Sequence, residues 1–188
     1  MKKYKLTGET KEVDGVTLHR IRALIDIPEH DVKAGDFGGW LETEENLSHN
    51  GAAWVAGNAL VMDVAMVMDS ALVTDSARVT GAAIVMNSAR VTGNSWVRGN
   101  ALVTGKARIM KSSDCITIGA IGSRNDTTTF YRGTDGGIYV SCGCFNGTID
   151  DFAARVKEVH AGTKHEKTYM LAIELAKAQI NVEGEVNK

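Results

Sequence analysis

The chain has 188 residues, 44% of them apolar, and a formal net charge of −2. That length fits one or two modest domains, and the near-neutral charge argues against binding a nucleic-acid polymer. No run approaches the roughly 18 apolar residues of a membrane span, so no membrane partner is expected. MKKYKLTGET at the start has no apolar stretch of the kind that marks a secretory signal. Three cysteines, an odd number, then read as reduced thiols in a cytoplasm.

Residues 1–46 read as an N-terminal β cap. EVDGVT holds an Asp-Gly turn between extended runs, the signal for a hairpin. LHRIRALIDI alternates loosely and is expected to form the second strand. GDFGGW, residues 35–40, lacks the order of a phosphate loop and reads as a turn leading out of the cap. Such a cap has a purpose, because bare strand edges pair with other chains.

Residues 47–112 carry a six-residue repeat. From Ala53 the ten hexads are AWVAGN, ALVMDV, AMVMDS, ALVTDS, ARVTGA, AIVMNS, ARVTGN, SWVRGN, ALVTGK and ARIMKS. The first position is Ala except at Ser95, and the third is Val except at Ile109. Positions five and six are mostly Gly, Asp, Asn and Ser, which favour turns. Strand side chains alternate, so Ala and Val share the inner face and the residue between them points out. This pattern predicts a parallel β-helix, with three short strands and eighteen residues per coil, of the left-handed triangular type. A helix is excluded, because a period of six does not match 3.6.

Residues eighteen apart stack on one outer face. One face carries Arg78, Thr80, Trp96 and Arg98 above Leu60 and Met62. Another carries Trp54, Leu72, Arg90 and Arg108. The third, with Met66, Met68, Ile84, Met86 and Leu102 followed by Thr104, is nearly all apolar. An exposed stripe of this kind marks an interface. The expected partner is the chain itself, in a homotrimer; a Met-rich patch for a promiscuous partner is the other reading.

Residues 113–188 read as a small α+β domain of three strands and two helices. CITIGAIG, TTTFYRG and GGIYVSCGC are the strands, and GTDGG marks a hairpin turn. Thr148 precedes a helix with Asp151 three residues on, an acidic variant of the capping box. Ile149, Phe152, Val156 and Val159 share one face of that helix. A second, over about 165 to 180, presents Tyr169, Ile173, Ala176 and Ile180.

The hexads contain no histidine, which disfavours acyl transfer by a base on the repeats. His49 and His160 remain as lone candidate bases. Cys115, Cys142 and Cys144 with His160 have poor zinc spacing, and buried thiols are the expectation, with no metal and no cofactor. GSRNDTTTFYR, residues 122–132, is the densest polar cluster. Arg124 suits a phosphate, Asn125 and Asp126 a base edge or ribose hydroxyls, and Phe130 or Tyr131 a stacked ring. Gly143 allows close approach, and a helix N-terminus lies just beyond it. Ser123, Thr127 and Asn146 complete the candidate ligand site. A plain polar turn is the competing reading. No nucleophile–base pair accompanies these residues, so a binder is favoured over an enzyme.

YKLTGE, IRALIDIP, VKAGDFGGW and ENLSHNGAAWV, followed by the hexads, resemble hexapeptide-repeat proteins of bacteria and phages described as polymer-forming or transferase-like. IGSRNDTTTFYR and VSCGCFNGTIDDF look like a domain that recurs in phage-encoded proteins. The resemblance implies a phage protein in the host cytoplasm, in a setting that includes sponges for nucleotide immune signals. The resulting expectation is a non-catalytic trimer that sequesters a small anionic ligand, a cyclic oligonucleotide or an ADP-ribose derivative, against host defence. An acyltransferase-like enzyme and a protein-interaction scaffold are the alternatives.

Overall fold

The structure, a computed structural model, describes residues 2–180. It opens with a hairpin of β1 (Tyr4–Val13) and β2 (Val16–Ala23). Asp14 and Gly15 both have positive φ, 54° and 82°, as the Asp-Gly turn requires. The second strand is shorter than the sequence suggests and ends at Ala23, before the exposed Leu24 and Ile25.

GDFGGW is no turn. Phe37–Leu41 forms β3, antiparallel to β2 and parallel to the repeat strand Leu60–Val61. Its glycines serve packing. A Cβ on Gly38 would lie 2.5 Å from Ile21 Cγ1, and one on Gly39 would lie 2.7 Å from the Ala59 carbonyl. The hairpin and the repeat therefore share one continuous sheet.

The repeats form a β-solenoid of about four turns. Its ten two-residue strands, β4 to β13, run from Trp54–Val55 to Arg108–Ile109. Every third strand stacks in parallel. β5 (Leu60–Val61), β8 (Arg78–Val79) and β11 (Trp96–Val97) follow β3 on one face. β4, β7 (Leu72–Val73), β10 (Arg90–Val91) and β13 form the second. β6 (Met66–Val67), β9 (Ile84–Val85) and β12 (Leu102–Val103) form the third. The inner column is Ala and Val, each no more than 1% exposed, which is the small-plus-branched filling that the hexads dictate. The turn residues Asp63, Asp69, Asp75 and Asn87 all have positive φ, which explains why position five is Gly, Asp or Asn in the first nine hexads; at the tenth the turn is gone and Lys111 is extended, with φ −142°. Asp63, Asp69 and Asp75 also accept the backbone N–H eighteen residues on, at 2.7 to 3.1 Å.

The N-terminal segment wraps two outer faces. Leu18 of the hairpin packs with Trp40, Leu60 and Met62. Ile27 and Val32 join the cluster that buries Trp54 and Leu72. Among the described residues the Met66/Ile84 face receives no such cover: Met66 is 37% exposed and Val64, at the corner, 74%.

The solenoid ladder has a polarity. The strand N–H groups that link one coil to the next donate to the carbonyl seventeen residues on, as Trp54 does to Ala71. The first coil is thus left with free carbonyls and the last with free N–H groups. At the start, the Lys3 ammonium donates to the carbonyls of Ala53 (2.7 Å) and Gly51 (3.3 Å), and the Tyr4 hydroxyl to those of Glu44 and Leu47. At the end, the Asp114 carboxylate accepts from Met110 and Lys111 N–H, the Thr129 hydroxyl from Leu102 and the Ser112 hydroxyl from Trp96.

The C-terminal part closes that end. It has four strands where the sequence suggests three: β14 (Cys115–Ile121), β15 (Asp126–Arg132), β16 (Ile138–Cys142) and β17 (Phe145–Thr148), an antiparallel meander. The helices α1 (Ile149–His160) and α2 (Lys164–Gln179) come next. Thr148 caps α1, accepting from Asp151 N–H, and Thr163 caps α2. The sheet is the middle of three layers. Tyr131 packs with the solenoid core, with Cys115 and Tyr139 beside it. Phe130, Ile138 and Val140 pack on Phe152, Val156, Tyr169 and Ile173 of the helices. Val159, expected on the same buried face of α1, is 52% exposed.

Candidate functional site

A cleft of about 260 Å³ opens between the tips of the C-terminal sheet and the two helices. Two tight turns build its rim. Ser123 and Arg124 come from the β14–β15 turn, and Cys144 from the two-residue turn joining β16 to β17. Helix α1 supplies Arg155, Val159 and His160, and α2 supplies Tyr169. Phe145 and Phe152 form the apolar floor, their rings 5.1 Å apart.

Close approach explains the glycines of both turns. The Tyr169 hydroxyl sits 1.8 Å from where a Cβ on Gly122 would be, and Gly122 has φ +75°. Gly143, with φ +57°, lies under the Arg124 guanidinium, which would be 3.0 Å from a Cβ there. Any larger residue at 122 displaces the phenol, and one at 143 displaces the guanidinium.

The cleft is electropositive. Arg124 and Arg155 flank it with the imidazole of His160, and among the described residues no carboxylate lines it. Arg155 pairs with Glu158 at 2.7 Å. Arg124 has only a long contact to Cys144 Sγ, 4.0 Å, among the described residues. The Cys142 thiol accepts from the Thr128 hydroxyl at 3.3 Å and lies 3.8 Å from the Tyr169 hydroxyl. Burial, with the neighbouring Cys142, pushes the Tyr169 phenol up to about 12, while hydrogen bonds to Ser123 act against that. Tyr169 is therefore a neutral donor at physiological pH. The His160 ring lies 5.7 Å from Tyr169.

The eight candidate ligand residues divide among three places. Ser123, Arg124 and Gly143 meet at the cleft rim. Asn125, with φ 51°, lies in the β14–β15 turn, and Asp126 and Thr127 open β15 beyond it, with Asn125 and Asp126 both exposed. The Asp126 carboxylate accepts from Thr127 N–H at 2.6 Å. Tyr131 and Asn146 meet on the other face of the sheet: Tyr131 is 1% exposed, and its hydroxyl bonds Ser141 (3.2 Å) and Asn146 (3.3 Å). Its ring stacks on Tyr139, 6.3 Å away. Phe130 is fully buried among the helices. The aromatic side chains that reach the cleft are Phe145, Phe152 and Tyr169, and the added nitrogen-bearing side chains are Arg155 and His160. Spacing alone does not bring α1 to the turn at 122–124.

The remaining thiol, Cys115, lies across the sheet against the solenoid, and burial pushes it up to about 12. Among the described residues no three His, Cys, Asp or Glu side chains converge as metal ligands. His49 stacks on Tyr4 at 4.4 Å and its Nδ1 accepts from Lys3 N–H, so it belongs to the N-terminal cap. Burial holds its pKa down. Among the described residues no helix is long and apolar enough to cross a membrane. No family model matches this chain, and no curated protein is significantly similar to it.

Proposed function

We propose that the protein binds and sequesters a small anionic ligand in the C-terminal cleft without transforming it. The carrying observation is the Arg124 guanidinium, which lies over Gly143 with no carboxylate partner among the described residues. A guanidinium fork suits a phosphate, and the Phe145 and Phe152 floor suits a ring. A nucleotide-derived signal, cyclic or ADP-ribose-like, fits both parts. In a phage-encoded chain acting in the host cytoplasm, such capture would counter an anti-phage defence.

The assembly belongs to the same reading. A left-handed coil with three equal faces would associate as a homotrimer through Met66, Met68, Ile84, Met86 and Leu102, the face that the N-terminal segment leaves open. Three clefts per particle would result.

The test is native mass spectrometry of the protein with cyclic dinucleotides, cyclic trinucleotides and ADP-ribose. The expected result is an intact ligand at three per trimer, lost in Arg124→Ala. Recovery of an altered ligand would make the protein an enzyme and point to His160. A trimer that binds nothing would favour a scaffold, for which the exposed Leu171 and Leu175 on α2 are the available surface.

A further inference from the structure

The second solenoid face changes character along its length. Its lower rungs, Trp54 and Leu72, are buried under the N-terminal segment. Its upper rungs are Arg90 and Arg108, both exposed and direct partners in the parallel ladder. Ladder rungs stand about 4.8 Å apart, and like charges directly opposite are destabilising. Neither arginine has a carboxylate within ion-pair distance among the described residues. Asp75 lines the same groove, but its carboxylate accepts Gly93 N–H at 2.9 Å in the turn ladder.

The groove, about 440 Å³, has further walls. Thr74 lies below and Thr134, from the β15–β16 turn, overhangs it. Thr134 is held there by its N–H, which donates to the Lys106 carbonyl at 2.9 Å. Two guanidinia one rung apart, with hydroxyls above and below, are built to receive two linked oxyanions. We propose that this groove is a second binding site, for a diphosphate group, with one phosphoryl on Arg90 and the other on Arg108. Each arginine would present a planar fork to its phosphoryl oxygens. The thiol-bearing cleft takes no part, so this site stands or falls independently of it.

The probe is inorganic pyrophosphate, titrated calorimetrically into the full chain in a buffer free of other multivalent anions. The expected result is sub-millimolar binding that persists in Arg124→Ala, where the cleft's own phosphate-binding arginine is gone, and that is at least tenfold weaker when Arg90→Ala or Arg108→Ala is added to that background. Arg90→Lys and Arg108→Lys keep charge and packing but lose the fork, and should weaken binding severalfold without disturbing the fold. A thermal readout separates this from a structural role. Arg108→Leu, which repeats the leucine of rung 72, should melt no lower than the parent without pyrophosphate and should lose the rise in Tm that pyrophosphate gives the parent. The proposal is overturned by absent binding, by equal binding in the Arg90→Ala/Arg108→Ala protein, or by loss only in Arg124→Ala. Orthophosphate binding as tightly as pyrophosphate would overturn the two-phosphoryl assignment.

Discussion

Lys3 and Asp114 close opposite ends of one hydrogen-bond ladder with opposite charge. The ammonium meets the carbonyls at Gly51 and Ala53, and the carboxylate meets the N–H groups at Met110 and Lys111. Both side chains are buried, 1% and 2% exposed. Asp114 is further held by Arg132 Nε at 3.0 Å. Removing either cap strands buried backbone groups, at a cost of about 1–3 kcal/mol for each unsatisfied group. Lys3→Met and Asp114→Ala should each lower stability by about 2–4 kcal/mol, read as a drop in the urea midpoint at unchanged slope. A loss below about 0.5 kcal/mol in both would mean that water replaces the caps.

Lys3 also predicts a pH dependence. Burial lowers its pKa from 10.5 to about 8. Between those values the unfolded chain holds the proton and the folded chain has released it. Stability from this group therefore rises with pH across that window and is flat below it. Urea melts at pH 7.5, 9 and 10 should show the rise in the parent relative to Lys3→Met. The same slope in both proteins would place the titration elsewhere.

Cys115 acts in the opposite sense. Its thiol is raised from 9.0 to about 12 by burial and by Asp114. The unfolded thiol loses its proton first, so stability falls as pH rises from about 9 to 12. Cys115→Ala should remove that part of the alkaline decline. In the folded protein, the exposed Cys144 should react with a thiol reagent at pH 8 well before Cys115 does. Equal rates would contradict the packing of β14 on the solenoid.

Tyr131 and Phe145 separate two views of the ligand's ring. Tyr131→Phe removes a hydroxyl that bonds Ser141 and Asn146, and should cost about 1 kcal/mol of stability with ligand affinity unchanged. Phe145→Ala should weaken binding at the cleft at least tenfold. Reversal of these two effects would move the site to the solenoid side of the sheet.

Ile84→Asp tests self-association. It puts a charge at the middle rung of the open face without touching the inner column of Ala83 and Val85. Sedimentation velocity should show monomers for the variant and trimers for the parent. A monomeric parent would end the trimer reading.

The solenoid is legible in the sequence because its inner column uses two residue types at fixed spacing and its turns require positive φ. Its ends are not legible, because Lys3 acts on carbonyls fifty residues away, beyond any local pattern. β3 is hidden because Gly38 and Gly39 look like turn formers, whereas they serve close packing. β17 is hidden because Phe145–Thr148 is short and runs directly into a helix. Strand alternation places Phe130 and Tyr131 on opposite faces, but only tertiary packing decides which face meets the helices. For the cleft, Arg124 is visible as an unusual residue in a turn. Arg155 and His160 reach it only through the docking of α1.

Neither cap contacts any feature peculiar to a given coil, apart from the free groups of the outermost rung. Every rung between them presents the same carbonyls downward and the same N–H groups upward. Excision of residues 71–88, one coil by the strand pairing, would join Ser70 to Ala89 in the same phase. The shortened chain would meet the same terminal chemistry at both ends. Length is thus a free variable of this architecture, adjustable in steps of about 4.8 Å, while the identity of the two ends is not.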